Sequence, residues 1–177
     1  MSMKHLRIEV IAMKYCMECG SSLVQKELKH EGIIPYCPTC MQYRFEIFNT
    51  AVSMIVWNKE KNQVLLIEQY GKKRYILVAG YINKAENAEA AAQREIVEEV
   101  GLHTVELHFQ KTEYYAPSNT LMINFVAIVD SMDVKPNYEI DDYAWFSIEE
   151  GLEKIAKGSL AERFYRMFME KVKHHEI

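Results

Sequence analysis

Gly80-Tyr-Ile-Asn-Lys-Ala-Glu86-Asn-Ala-Glu-Ala-Ala-Ala-Gln-Arg94-Glu95-Ile-Val-Glu98-Glu99-Val-Gly101-Leu102 opens as a loop and closes as a helix. Ala88, Ala90, Ala91, Ala92 and Gln93 all favour helix, and Gly101 is a stop, so the composition predicts a helix over residues 87–100. On that helix Glu95, Glu98 and Glu99 stand at i, i+3 and i+4, which puts three carboxylates on one face within an arc of about 100°. Ala92, Ile96 and Val100 form an adjoining apolar strip that can pack on a sheet. The helix is thereby anchored along one side and acidic along the next.

Such a face is costly to build. Neighbouring carboxylates repel by roughly 1 kcal/mol per close pair in water and by more near a protein surface. The last helical turn, which holds Glu98 and Glu99, disfavours negative charge by about 0.3–1 kcal/mol each. A hard cation with oxygen ligands removes the conflict, and magnesium, which keeps several waters and binds phosphates, fits the donor type. The plain alternative is a solvated acidic face.

Outward from this segment, residues 51–57 and 63–67 are β-branched or aliphatic runs joined by the polar turn at 58–62, a hairpin pattern. Residues 74–78 read as a third strand, residues 105–115 as a fourth with partial alternation, and the nearly all-apolar residues 121–129 as an interior one. Residues 143–146 form a short strand. Ser147-Ile-Glu-Glu150 and Ser159-Leu-Ala-Glu162 fit the capping box that starts a helix. The last helix offers Leu160, Phe164, Met167, Phe168 and Val172 as one apolar face, read as docking on the core.

Toward the N-terminus, Cys16-x-x-Cys19 and Cys37-x-x-Cys40 are separated by the 17 residues 20–36. Two such knuckles can face each other and offer four thiolates tetrahedrally, and four thiolates leave no position for a reactive water, so a structural zinc is expected, the alternative being two disulfides or four unrelated thiols. His30, between the pairs, reads as a surface residue. Residues 14–45 hold too few large aliphatics to bury a core unaided, and need the staple. The boundaries that follow are an extension at 1–13, with Met13 a candidate start, a zinc ribbon at 14–45 and the main domain at 46–177.

With 177 residues, 49% hydrophobic and 26% charged, the chain has room for one full core and a small module. A net charge of -4 argues against binding nucleic acid through its phosphate backbone. No stretch has the roughly 18–20 apolar residues of a membrane span, and residues 1–13 lack a signal-peptide pattern, so a cytoplasmic location is expected.

The spacing Gly80, five residues, Glu86, seven residues, Arg94-Glu95-Ile96, one residue, Glu98-Glu99, one residue, Gly101-Leu102 resembles the signature of Nudix hydrolases at every defined position over 23 residues. The resemblance implies an α+β fold, an α/β/α sandwich on a mixed sheet. It also implies magnesium or manganese on Glu95, Glu98, Glu99 and the carbonyl of Ala79, Arg94 orienting Glu86, and water attack on a phosphorus of a nucleoside diphosphate derivative.

Ribbon, box and tail together look similar to the NADH pyrophosphatase branch. That likeness implies adenine stacked between Tyr81 and Phe45, and Glu139 as a further metal ligand. The branch's proline-rich recognition element, Ser-Gln-Pro-Trp-Pro-Phe-Pro, is largely replaced here by residues 112–120. Glu113, Tyr115 and Thr120 are therefore expected to set what lies beyond the diphosphate: nicotinamide ribose, bare ribose or a sugar. NADH, NAD and ADP-ribose are the expected substrates, with an NAD-type cap as the one nucleic-acid possibility and a second copy of the chain as partner. The rival reading is a non-catalytic nucleotide sensor whose ribbon contacts protein or nucleic acid.

Overall fold

The computed structural model describes residues 13–177, so of the expected N-terminal extension only Met13 lies inside the described residues. The chain divides into two compact units, one ending at Ile47 and the other running from Phe48 to Ile177.

The first unit is a small antiparallel sheet of β1 (Val24–Leu28), β2 (Gly32–Cys37) and β3 (Gln42–Tyr43), in that order. Its interior is meagre: Cys16, Cys37 and the charged Arg44 are the buried side chains that matter. The rings of Tyr36 and Tyr43 meet edge to face at 5.0 Å, with the Lys26 ammonium 3.9 Å from the Tyr36 centroid. These are contacts on a solvated sheet and cannot replace an aliphatic core.

The second unit contains, among the described residues, β4 (Asn49–Asn58), β5 (Gln63–Gln69), β6 (Val78–Tyr81), α1 (Ala88–Val100), β7 (Thr104–Tyr115), β8 (Thr120–Val129), β9 (Ile140–Ser147), α2 (Ile148–Lys154) and α3 (Leu160–Lys173). The sheet order is β7-β8-β4-β5-β9, with β6 added alongside β4. β4 and β8 run parallel while the other pairs are antiparallel, so the sheet is mixed. β4 lies between helical layers, and its side chains alternate between two cores as strand geometry requires. Val52, Met54 and Val56 point to the α1 side, where Ala92, Ile96 and Val100 are fully buried. Ile55 and Trp57 point to the other side, against Phe164, Tyr165 and Phe168 of α3. Each large side chain so buried contributes roughly 1.5–3 kcal/mol.

Both expected sheet-packing faces are thus present, with two adjustments. In α3, Tyr165 and Met169 join the buried face in place of the expected Met167, and the Tyr165 hydroxyl donates to the carbonyl of Ile148 at 3.0 Å, which lets a phenol sit in a core. The expected strand at residues 74–78 begins later, at Val78, because one edge of β4 is shared. β5 pairs with it only at Val56 and Trp57, and β6 takes over from Ala51 to Met54. Residues 74–77 make the crossing between those two partners and contribute only single bridges, Ile67 to Ile76 and Tyr75 to Ile155. This fork in the sheet opens the space in which the acidic face of α1 lies.

Candidate active site

Three backbone devices place the acidic groups. Asn87 caps α1, its side chain accepting from the N–H of Ala90 at 2.8 Å. At the other end Gly101 takes φ 69°, and its N–H donates to the carbonyl of Val97. The loop before β9 then folds onto the helix end: the N–H of Lys135 donates to the carbonyl of Val100 at 2.8 Å, and that of Asn137 to the carbonyl of Glu99 at 2.9 Å. Carbonyls that the helix itself cannot satisfy are the anchor that brings Glu139 beside Glu99.

An open cleft of about 730 Å³ gathers Ala79, Tyr81, Glu95, Glu98, Glu99 and Glu139. Gly80 lies beneath it, where a Cβ would overlap the Glu95 carboxylate, so any larger residue would have to push the end of that flexible side chain aside. Glu99 is the buried acid, 4% exposed. Burial first, then the charge of Glu95, push its carboxyl up to about 8, against a donated hydrogen bond from Gln69 Nε2 at 3.2 Å and another from the backbone of Ala79. Glu139 accepts from the Tyr70 hydroxyl at 2.9 Å.

Arg94 holds the rest of the acidic group. Its Nε and Nη2 donate to the two Glu86 oxygens at 2.8 and 2.9 Å, its Nη1 to Glu95 at 2.7 Å and Glu98 at 2.9 Å, and its Nη2 also to the carbonyl of Tyr81 at 3.0 Å. The guanidinium holds the Glu86 carboxyl down at about 2, helped by the N–H of Asn83. With Glu95 and Glu98 drawn to Arg94, the carboxylates share a wall without converging on one point. Their donor set, hard oxygens around an open cleft, fits a divalent cation that keeps its own waters.

The other expected residues of the second unit lie outside the large cleft. Thr120 lines a smaller adjoining cavity of about 200 Å³ together with Ala79, Gly80, Tyr81, Ser118 and Met122. Glu113 is ion-paired with Arg163 at 2.6 Å, and Tyr115 is half-buried at the end of β7; neither lines these two cavities. Phe45 is exposed near the end of the first unit. Gln69, Tyr70, Asn83, Asn137 and Tyr138 also line the cleft and were not expected. The signal for Asn137 and Tyr138 was their place just before Glu139; Gln69 and Tyr70 follow an aliphatic strand and carry no motif.

In the first unit the sulfurs of Cys16, Cys19, Cys37 and Cys40 all lie within 4.8 Å of one another, and all four cysteines are free. Cys16 and Cys40 are 3.9 Å apart, Cys19 and Cys37 3.5 Å. A tetrahedral site with metal–sulfur bonds of about 2.3 Å has edges of about 3.8 Å, so the set fits. Arg44 packs beneath, donating from Nε to Cys16 Sγ at 3.3 Å and from Nη2 to Glu18 at 2.6 Å. The N–H of Cys19 and Arg44 contribute to holding the Cys16 thiol down at about 6. His30 is exposed, as expected of a surface residue.

A mixed sheet between helical layers, with a loop and helix setting acids over its fork, defines the class: the NUDIX domain family model matches residues 48–168, and the chain belongs to that family. Among curated relatives, the NAD-capped RNA hydrolase NudC of Vibrio cholerae is 26% identical over 153 residues, covering 84% of this chain and 55% of that protein. NudC of Pseudomonas aeruginosa is likewise 26% identical, over 88% of this chain and 55% of its own length. The chain thus spans about half the length of the curated relatives it matches. A NUDIX hydrolase from Nitrosomonas europaea shares the fold with TM-score 0.70 at 21% identity, over 92% of this chain and 93% of that one. The NUDIX domain of Shewanella oneidensis NrtR complexed with ADP ribose matches with TM-score 0.61 at 15% identity, over 77% and 94% of the two chains. No helix of the described residues is long and apolar enough to cross a membrane.

Proposed function

We propose that the chain is a magnesium- or manganese-dependent hydrolase that cleaves the diphosphate bond of an adenine nucleotide derivative of the NAD(H) or ADP-ribose kind. The observation that carries this reading is the convergence of Glu95, Glu98, Glu99 and Glu139 on one cleft, bordered by the backbone of Ala79 and Gly80. The names of the relatives, which point to NAD-type diphosphates, support it.

In this reading Glu95, Glu98 and Glu99, with the Ala79 carbonyl and Glu139, hold the cations. A bound divalent ion supplies charge neutralisation for the diphosphate and lowers the pKa of its water, the usual source of a nucleophile at neutral pH. The chain's own groups do the positioning. Arg94 locks Glu86 and braces Glu95 and Glu98 from behind. Glu98, with 56% of its side chain exposed, faces the water that attacks phosphorus. The P–O bond on the far side of that phosphorus breaks, leaving two monophosphates. Tyr81, exposed one residue beyond Gly80, offers its ring to adenine. Zinc in the four-cysteine site, a homodimer and a cytoplasmic location complete the proposal.

The test is a metal-dependent hydrolysis screen over NADH, NAD, ADP-ribose, diadenosine polyphosphates and uridine and guanosine diphosphate sugars, followed by product analysis. Adenine compounds should be cut to monophosphates, and Glu98→Gln should lower turnover by about a hundredfold or more with little change in thermal stability. Unchanged turnover in Glu98→Gln, or equal use of uridine and guanosine sugars, refutes the assignment.

A further inference from the structure

Tyr70 and Tyr138 have no role in the reading above, yet both line the large cleft and are 66% and 92% exposed. Tyr70 follows β5 with φ 55°, a left-handed conformation uncommon for a bulky residue, and Gly71 comes next at φ 68°. The turn is pinned by the Gly71 N–H, which donates to the Asp141 carboxylate at 2.5 Å, and the phenol is pinned by its bond to Glu139. The ring is therefore held in water by its turn and its hydroxyl, with no core to bury it. Such an outlier at a cleft is a feature that needs a reason.

Position gives the reason. Tyr81 is shared between the large cleft and the small cavity that Ser118, Thr120 and Met122 line, and that small cavity includes neither Tyr70 nor Tyr138. Rings therefore border the acidic wall from two directions: Tyr81 from β6, and Tyr70 with Tyr138 from the β5 and β9 side. A cleft of about 730 Å³ is within the range that encloses whole small ligands, and exposed tyrosine faces are natural stacking surfaces for planar bases.

We propose that Tyr70 and Tyr138 form a stacking platform for a second planar base, so that the substrate carries an aromatic ring at each end of its diphosphate. This rests on the diphosphate-hydrolase reading and narrows it: a dinucleotide of the NAD kind is preferred over ADP-ribose, whose far end is a bare sugar.

Two measurements on the full chain test it. By calorimetry, which needs no turnover, wild type should bind nicotinamide mononucleotide about tenfold more tightly than ribose 5-phosphate, as one stacked ring implies. Tyr138→Leu and Tyr70→Leu should each bring that ratio toward unity, whereas Tyr70→Phe, which keeps the ring and loses the hydroxyl, should preserve it. In kinetics, the ratio of kcat/KM for NAD to that for ADP-ribose should fall about five- to tenfold in either leucine variant. Equal binding of the two monophosphates by wild type, or a ratio unmoved by both leucine variants, overturns the platform. If no diphosphate is hydrolysed but the mononucleotide preference and its loss on substitution hold, the platform stands and the hydrolase reading falls.

Discussion

Cation binding to this chain should release a proton, and the proton should come from Glu99. The perturbation is titration of the cation-free protein with magnesium or manganese at several pH values, in wild type and in Glu99→Gln. Burial and the Glu95 charge raise the Glu99 carboxyl from 4.5 to about 8, so at pH 7 about nine in ten cation-free molecules carry that proton. A cation needs the carboxylate, so binding at pH 7 displaces about 0.9 proton. Glu86, held at about 2, is already ionised and adds nothing. The sign follows: affinity should rise about tenfold from pH 6 to 7, about fivefold from 7 to 8, and level off above. Folding stability without the cation should run the other way. Between 4.5 and about 8 the folded state holds the proton that the unfolded state has lost, so stability falls with rising pH by up to about 1.4 kcal/mol per unit, and by about 5 kcal/mol at most. Saturating cation replaces the proton and should flatten that fall. Isothermal calorimetry in two buffers of different ionisation heat counts the protons, and denaturant melts follow the stability. Glu99→Gln should bind cation weakly, without pH dependence, and should lose the stability slope. Affinity that is flat from pH 6 to 8, with no proton released by wild type, would refute the claim that Glu99 is the buried ligand.

Gly80→Ala places a methyl group where the Glu95 carboxylate sits, and that carboxylate ends a flexible side chain. Turnover should therefore fall by about tenfold or more while the melting temperature shifts by only a few degrees; equal activity would separate Glu95 from the site. The first unit should hold one zinc per chain, and metal analysis alongside thiol titration should find the four cysteines protected. Stripping the metal with a chelator should unfold β1 to β3 by hydrogen exchange while the second unit keeps its protection, since each has its own interior.

Much of this could be read in the chain before any fold was known, because the informative features were local. The spacing of Glu95, Glu98 and Glu99 follows from 3.6 residues per turn, and Asn87 and Gly101 bound the helix by cap chemistry that acts within four residues. The paired cysteines were equally legible, since each knuckle is closed within one short turn. The third strand was misplaced by four residues because its start depends on where β5 leaves β4, a choice that apolar residues at 74–78 cannot express.

By itself, then, the amino-acid sequence determined the family, the acidic helix and its capped ends, the paired cysteines and the alternation that fills two cores. What tertiary structure decided is everything that depends on neighbours distant in the chain. Only folding brings Gln69 and Glu139 beside Glu99 and sets Tyr70 and Tyr138 on the rim of the same cleft. Burial makes Glu99 the unusual acid of the three, although all are glutamates within about one turn of the same helix. Periodicity tells which face a side chain takes; the charge it can carry there depends on what the rest of the chain packs against it.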